Sequence, residues 1–269
     1  MCFDVVIVAH NAGHLLASAV TSAIEQAGSA HVWLMDAEST DGSVGALQAL
    51  AKEVHVVSIP NVGFAAANNR GIELTGSTFI LLLNPDAVLG PGAMDALVAT
   101  ANANPQAGIV GPLILNPDGS VQANSFGRFP SLVVSLGLRM WRIAQRLRGN
   151  VNLSPKAPIA TTSVHWVTGA AMLVRRAAID DVGPMDEGFF LYYEDTEWCH
   201  RMRDHGWEVL LEPRAGVAHY LGGCAAPEGV AARAYRASFY RYCDLYGLWG
   251  LKAFSRVGLS LRQLAGGAR

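Results

Sequence analysis

Four short apolar runs in the first third of the chain, each closed by a polar residue, constrain it more than any other feature. Phe3-Asp4-Val5-Val6-Ile7-Val8-Ala9 is mostly β-branched, the pattern of a strand buried on both faces. His31-Val32-Trp33-Leu34-Met35 ends at Asp36, Val54-His55-Val56-Val57-Ser58 ends near Asn61, and Thr78-Phe79-Ile80-Leu81-Leu82-Leu83 ends at Asn84-Pro85-Asp86. Helical spacing separates them. Asn11-Ala12-Gly13 breaks the first strand before a helix over His14–Ala27. A turn at Ser39–Ser43 leads to a helix over Val44–Lys52, and an alanine-rich helix covers Gly63–Leu74. Strands alternating with helices predict an α/β fold with a mainly parallel, doubly wound sheet and helices on both faces.

Beyond the fourth strand the alternation changes. The pattern predicts a strand over Gly108–Leu115, a hairpin turn at Asn116-Pro117-Asp118-Gly119 and a basic helix over Ser131–Arg148. A strand at Val164–Val167 follows, then a strand or buried helix at Ala170–Val174 and a helix over Asp195–His205. A short strand at Val209–Leu211 and a C-terminal helix over Ala231–Gly247 complete the chain. The organisation expected is one domain in two halves, 1–118 and 119–229, with a helical segment at 230–269.

Composition excludes several classes. Half of the 269 residues are hydrophobic and only 16% are charged, which excludes a disordered chain. The 28 glycines show no triplet period, and no apolar run reaches the length of a membrane span. Met1-Cys2-Phe3-Asp4 has no basic region, so no secretory signal is expected. Cys2, Cys199, Cys224 and Cys243 form no paired motif and read as reduced thiols of a cytoplasmic protein.

The net charge of −2 conceals a strong asymmetry. From Gly119 to Ile179 there is no acid and a charge of +8, and from Val230 to Arg269 the charge is +6, so the rest of the chain is markedly acidic. Such a division predicts a basic surface for an anionic partner and an acidic site elsewhere. On a helical wheel of Ser131–Arg148, Arg139, Arg142 and Arg146 share one face, and Val133, Val134, Met140, Trp141, Ala144 and Leu147 lie largely opposite. That is the pattern of a helix lying in an anionic membrane interface, where each basic residue contributes about 1 kcal/mol. Arg233, Arg236, Arg241, Lys252, Arg256 and Arg262 would add to it. The alternatives are solvated arginines on a core helix or a homodimer contact. A nucleic-acid binder is not expected, since the basic stretch offers Trp141 and few other stacking groups.

Ligands of open α/β sheets bind beyond the carboxyl ends of the strands. The residues there are Ala9-His10-Asn11, Asp36, Asn61 and Asn84-Pro85-Asp86. Neither a G-x-G-x-x-G turn nor a P-loop is present. Asp86, directly after the most apolar strand, is a candidate Mg²⁺ or Mn²⁺ ligand; the alternative is a turn-forming Asp after Pro. Glu194-Asp195-x-Glu197 follows the aromatic run Phe189–Tyr193 and opens a helix. Clustered carboxylates suit a general base, but acids in a first helical turn are also favourable on their own. His219, between Gly216-Val217-Ala218 and Gly222-Gly223, is a candidate metal or phosphate ligand or a structural histidine.

Taken together and in order, these segments resemble the family 2 glycosyltransferases of the GT-A fold, and most of all their bacterial rhamnosyltransferase-like branch. The matching text runs from Val5–Asn11 through Asp36–Ser43, Asn61–Gly71, Leu81–Asp86 and Gly169–Arg176 to Phe189–Asp195, covering roughly residues 3 to 247. The resemblance implies a sugar-nucleotide donor, a divalent metal (Mn²⁺ or Mg²⁺) and inversion at the anomeric carbon. It implies that Asp36 meets the nucleotide base, that Asp86 is the last acid of a metal-binding DxD, and that Asp195, with Glu194 beside it, is the catalytic base. His219 would reach the metal or the diphosphate. Asn61, Gly63, Asn68, Asn69, Arg70 and Asn84 would lie along the donor, and Trp166, Gly169 and Tyr193 on the acceptor side. Ala9-His10-Asn11 stands where the family usually has Thr-Tyr-Asn, and Asn84 replaces the first acid of the motif. The branch implies dTDP-rhamnose as donor and a glycan or polyprenyl-linked acceptor used in cell-surface polysaccharide synthesis. That places the enzyme in the cytoplasm or at the inner membrane face. A hexosyl or N-acetylhexosaminyl transferase of the same fold, or a non-catalytic sugar-nucleotide binder, is the alternative.

Overall fold

A computed structural model describes residues 3–28, 30–50, 53–136, 156–221 and 228–256. The first four strands form as expected: β1 (Phe3–Ala9), β2 (Val32–Ala37), β3 (Val54–Ile59) and β4 (Phe79–Leu83). They are linked by α1 (Leu15–Ala27), a 3-10 turn at Gly45–Leu50 and α2 (Phe64–Leu74). After β4 come β5 (Ala87–Leu89), α3 (Ala93–Ala103), β6 (Ala107–Leu115) and β7 (Phe126–Gly127). The second half adds β8 (Thr162–Ser163), β9 (Trp166–Val167), β10 (Ala171–Arg175), α4 (Arg176–Val182), α5 (Glu194–Asp204), β11 (Glu208–His219) and α6 (Glu228–Leu245). A last helix spans 249–256.

The main sheet runs β3-β2-β1-β4-β10-β6-β11-β5, with β8 paired to β11. Six strands point one way; β10, β5 and β8 point the other. The sheet is therefore mostly parallel, as expected, and mixed. Its period-two alternation feeds two separate cores. Val5, Ile7, Leu81 and Leu83 pack with Leu16 and Val20 of α1 and Leu97 of α3. Val6, Val8, Ile80 and Leu82 pack on the other face with Ile72 of α2 and with Trp198 and Met202 of α5. Burial on both faces explains why β1 and β4 are continuous apolar runs.

Several expectations change. The helix over Val44–Lys52 is a single 3-10 stretch. The alternative at Ala170–Val174 resolves as β10, which is inserted antiparallel between β4 and β6. The short last strand is twelve residues long, with a register shift between Glu212 and Gly216. Glu212 pins that bend. Its fully buried carboxylate accepts from Arg214 Nε (2.8 Å), Thr100 Oγ1 (2.7 Å) and Thr161 Oγ1 (2.6 Å), and these bonds, Arg214's first, hold its pKa down to about 2. Beyond the bend β11 runs on to pair Val217–His219 with β5, which carries His219 to the site. The basic helix is helical at 132–136; Arg139, Trp141, Arg142, Arg146 and the rest of it lie outside the described residues. Cys199 and Cys243 are free and buried.

Gly71 shows how tightly α2 sits on β1, since a Cβ there would overlap Val6 Cγ1. Gly71→Ala is expected to destabilise by about 1–3 kcal/mol through overpacking. The urea midpoint should fall at unchanged m, and Val6→Ala in the same chain should restore part of the loss. An unchanged midpoint would show that the contact gives way freely.

Candidate active site

The strand order places β2 and β3 on one side of β1 and β4 on the other, so the order of strands reverses between the parallel β1 and β4. A crevice opens at the carboxyl ends of the strands at such a point. Three groups of candidate residues lie at these strand ends or are linked to them by hydrogen bonds.

The first group closes the ends of β1 and β2. His10 Nδ1 donates to Ala37 O (2.6 Å), and its Nε2 accepts from the Asn11 carboxamide (3.3 Å), which fixes one neutral tautomer. Asn11 adopts a left-handed conformation (φ +51°) that Asn tolerates. Its amide N–H donates to Ser39 Oγ (3.1 Å) and its Oδ1 accepts from Thr40 N–H (2.8 Å). Asp36, opposite Ala9 in the ladder, accepts from Ser39 N–H (3.0 Å). Asp41 accepts from Gly13 N–H (2.8 Å), and the Ser43 hydroxyl holds its carboxyl below the usual range. Glu38 Oε2 accepts from Asn61 N–H (3.3 Å), tying the ends of β2 and β3 together.

The second group surrounds Asp86. The Asp86 carboxylate is buried, with Oδ1 3.2 Å from His219 Nε2. His219 Nδ1 lies 2.8 Å from Gln122 Oε1. The Gln122 amide donates to His219 O (3.2 Å) and Asn116 Oδ1 (3.1 Å), so its oxygen faces the ring and accepts from Nδ1–H. The Nε2 lone pair then faces a carboxylate oxygen. Two acceptors at that distance require a proton or a cation between them, and a histidine anchored through its other nitrogen is the usual arrangement of a metal ligand. Asn84 Oδ1, two residues away, is buried without a partner. Among the described residues no cluster of three or more His, Cys, Asp or Glu forms. A carboxylate oxygen and an imidazole nitrogen are donors that suit a divalent cation such as Mn²⁺ or Mg²⁺, so Asp86 and His219 are the residues that would hold one.

The third group carries the acid pair. Asp195 sits in the first turn of α5, where the positive helix end favours a carboxylate. Its Oδ2 accepts from Gly169 N–H (2.8 Å) and its Oδ1 from Thr196 N–H (2.6 Å) and Oγ1 (3.1 Å). Burial nevertheless pushes its pKa up. Glu194 is buried, and burial first, then the charge of Asp195, holds its carboxyl well above the usual range. The residue after Gly169 accepts from Asn84 N–H (Ala170 O, 2.9 Å), so a short backbone path joins the Asp195 corner to the Asp86 corner. A side chain at Gly169 would press on the Phe64 ring.

The remaining expected residues are more scattered. Gly63 has φ +99°, and a Cβ there would clash with Phe190. Asn68 bonds Phe64 O (2.9 Å), and the buried Asn69 carboxamide turns to Met185 and Glu187. Arg70 is exposed and pairs with Glu73 (3.4 Å). Trp166 Nε1 donates to Arg128 O (3.1 Å), and the Tyr193 hydroxyl lies 3.2 Å from that of Tyr235. Sequence reasoning missed Gln122 and Thr196. Gln122 is 97 residues from its histidine and belongs to no motif, whereas Thr196 was legible as the residue after the acid pair in a helix start.

A mostly parallel sheet covered by helices on both faces, with an antiparallel strand inserted between β4 and β6, is the architecture of a GT-A-type fold. The model of the glycosyl transferase family 2 matches residues 4–183, and the chain belongs to that family. Among similar proteins is an N-acetylglucosaminyl-diphospho-decaprenol L-rhamnosyltransferase of Mycobacterium tuberculosis, 32% identical over 243 residues, covering 81% of this chain and 76% of the relative. A dTDP-rhamnosyl transferase RfbF of Shigella flexneri is 26% identical over 175 residues, covering 64% of this chain and 53% of the relative. The structure of GalNAc-T7 with UDP, GalNAc and Mn²⁺ superposes with a TM-score of 0.64 at 18% identity over 90% of this chain. The chain spans about half the length of that protein (47%). Among the described residues no helix is long and apolar enough to cross a membrane.

Proposed function

We propose that the protein is an inverting glycosyltransferase that moves L-rhamnose from dTDP-rhamnose to a hydroxyl of a sugar carried on a diphospho-polyprenol, in cell-surface polysaccharide synthesis. The observation that carries the reading is Asp195. It is a half-buried carboxylate oriented by Gly169 and Thr196, and the hydrogen bond from Asn84 N–H to Ala170 O links it to the corner where Asp86 and His219 would hold a divalent ion. The named activities of two relatives support the sugar and the acceptor class.

In this reading the acceptor hydroxyl gives its proton to Asp195 as its oxygen attacks the anomeric carbon, the bond to the diphosphate breaks, and the sugar is inverted in one displacement. Gly169 and Thr196 hold the accepting oxygens in place, and the raised pKa brings the base closer to neutrality, where proton transfer is most effective. Asp86 and His219 would hold Mn²⁺ or Mg²⁺, which neutralises charge on the departing diphosphate. His10 offers a flat ring at the rim for the base, next to Asp36.

A panel of sugar nucleotides with a polyprenyl-diphosphate acceptor tests the assignment. Transfer from dTDP-rhamnose should exceed that from UDP- and GDP-sugars, and preference for a hexose or N-acetylhexosamine donor would replace rhamnose in the proposal. Absence of transfer from every donor, with binding retained, would favour the non-catalytic binder. The basic segment 131–148 supports peripheral contact at the inner membrane face. Flotation with anionic vesicles at low salt, absent when Arg139, Arg142 and Arg146 are changed to Glu, is the expected result; equal behaviour of the two proteins would refute it.

A further inference from the structure

The segment between α4 and α5 delivers the acid pair, and it is gripped from two sides. From α2, Asn69 accepts from Met185 N–H (3.0 Å) and donates to Met185 O (2.9 Å) and Glu187 Oε1 (3.1 Å), while Phe64 N–H donates to Phe190 O (2.8 Å). From α6, Arg241 makes a forked ion pair with Asp186 (2.7 and 3.0 Å) and lies over the Phe189 ring at 5.2 Å. Its guanidinium also occupies the space where Gly188 would carry a Cβ. The Ser238 hydroxyl donates to Leu191 O (2.8 Å), and Tyr235 meets Tyr193, hydroxyl to hydroxyl. The segment ends on Tyr192 and Tyr193, with φ +69° and +67°. Two successive bulky residues in the left-handed region persist only where the surroundings hold them. Asp195 follows two residues later. The α6 contacts fall outside the span that the family model matches.

We infer that α6 is a positioning brace for catalysis: through Arg241, Ser238 and Tyr235 it holds residues 186–193 in the turn that aims Asp195 at the acceptor. This rests on the transferase reading above. A helix that merely covers the core would lose stability when altered, without separating donor binding from turnover. Loss of a brace loosens the base and leaves the donor corner, built from β1, β2 and β4, untouched.

The test compares Arg241→Gln, Arg241→Lys, the double variant Arg241→Gln with Ser238→Ala, and Asp244→Asn. Asp244 pairs with Lys252 beyond the grip on the segment and serves as the control. Arg241→Gln should lower kcat about 10-fold and the double variant up to about 10²-fold, the scale of an ångström-sized misplacement. Donor KM and donor binding should stay within about twofold, since the donor corner is untouched. Arg241→Lys should recover part of the loss, and Asp244→Asn should match the wild type. In hydrogen exchange, amides of 186–195 should exchange faster in Arg241→Gln, with β1 and β4 unchanged. Unchanged exchange in 186–195, an equal loss in Asp244→Asn, or a parallel loss of donor affinity would overturn the inference. If the wild type transfers sugar from no donor, the functional reading fails on its own, and the exchange measurement still decides whether α6 holds the segment.

Discussion

Asp195→Asn will fold, bind the sugar nucleotide and transfer sugar about 10²–10⁴-fold more slowly, the scale of general-base catalysis. The amide keeps the size of the carboxylate and its one oxygen can still accept from Thr196, but its NH2 cannot accept from Gly169 and cannot take a proton from the acceptor. The wild type should show a matching pH signature. Burial raises the folded pKa of Asp195, so the basic form is lost as pH falls through a value above the ordinary carboxylate range, and the acid limb of kcat/KM should lie there. Glu194, whose carboxyl burial and the Asp195 charge hold well above the usual range, keeps its proton while Asp195 titrates, so Glu194→Gln should leave the acid limb in place. Near-normal transfer by Asp195→Asn would remove the base from its assigned role.

Chelation will abolish transfer, and Mn²⁺ or Mg²⁺ will restore it. Asp86→Ala should lower turnover by about 10²-fold or more, as expected when several kcal/mol of charge stabilisation are lost, and should weaken donor binding as well. Gln122 gives a finer test. Gln122→Leu keeps both proposed ligands but releases the proton on Nδ1 that leaves Nε2 free toward Asp86. Metal affinity should fall by about 10–100-fold, the usual scale for an outer partner of a ligand histidine. Full activity in metal-free buffer would contradict the assignment of Asp86 and His219, and unchanged affinity in Gln122→Leu would contradict the tautomer argument.

β1 and β4, buried on both faces, were legible because nothing in them competes with the apolar run, and the partly buried β2 and β3 were also read within about two residues of where they lie. The five-residue run at β10 was not decidable, because a short apolar segment has no period of its own. The strand expected at Val209–Leu211 is only the first part of β11, which bends around Glu212 at Pro213 and Arg214 and then continues. Nothing was read at α3, whose alanines and threonine carry a weak helical pattern, or at β5, which is three residues long. In the site, strand-end residues such as Asp36 and Asp86 followed from position alone. The approach of His219 to Asp86 did not, since 133 residues separate them and only the bend in β11 brings them together.

The place of β10 in the sheet also bears on synthesis of the chain. Leu81, Leu82 and Leu83 pair with Ala171–Leu173, which leave the ribosome roughly 90 residues later. At about 5–20 residues per second, β4 waits on the order of 5–20 s before that neighbour exists. During that interval one of the most apolar strands presents an unpaired edge, the kind that invites association with other nascent chains. Chaperone capacity and translation speed across 84–170 should therefore govern how much of this enzyme is recovered intact, and pausing in that stretch should lower the yield without changing the stability of the molecules that do fold.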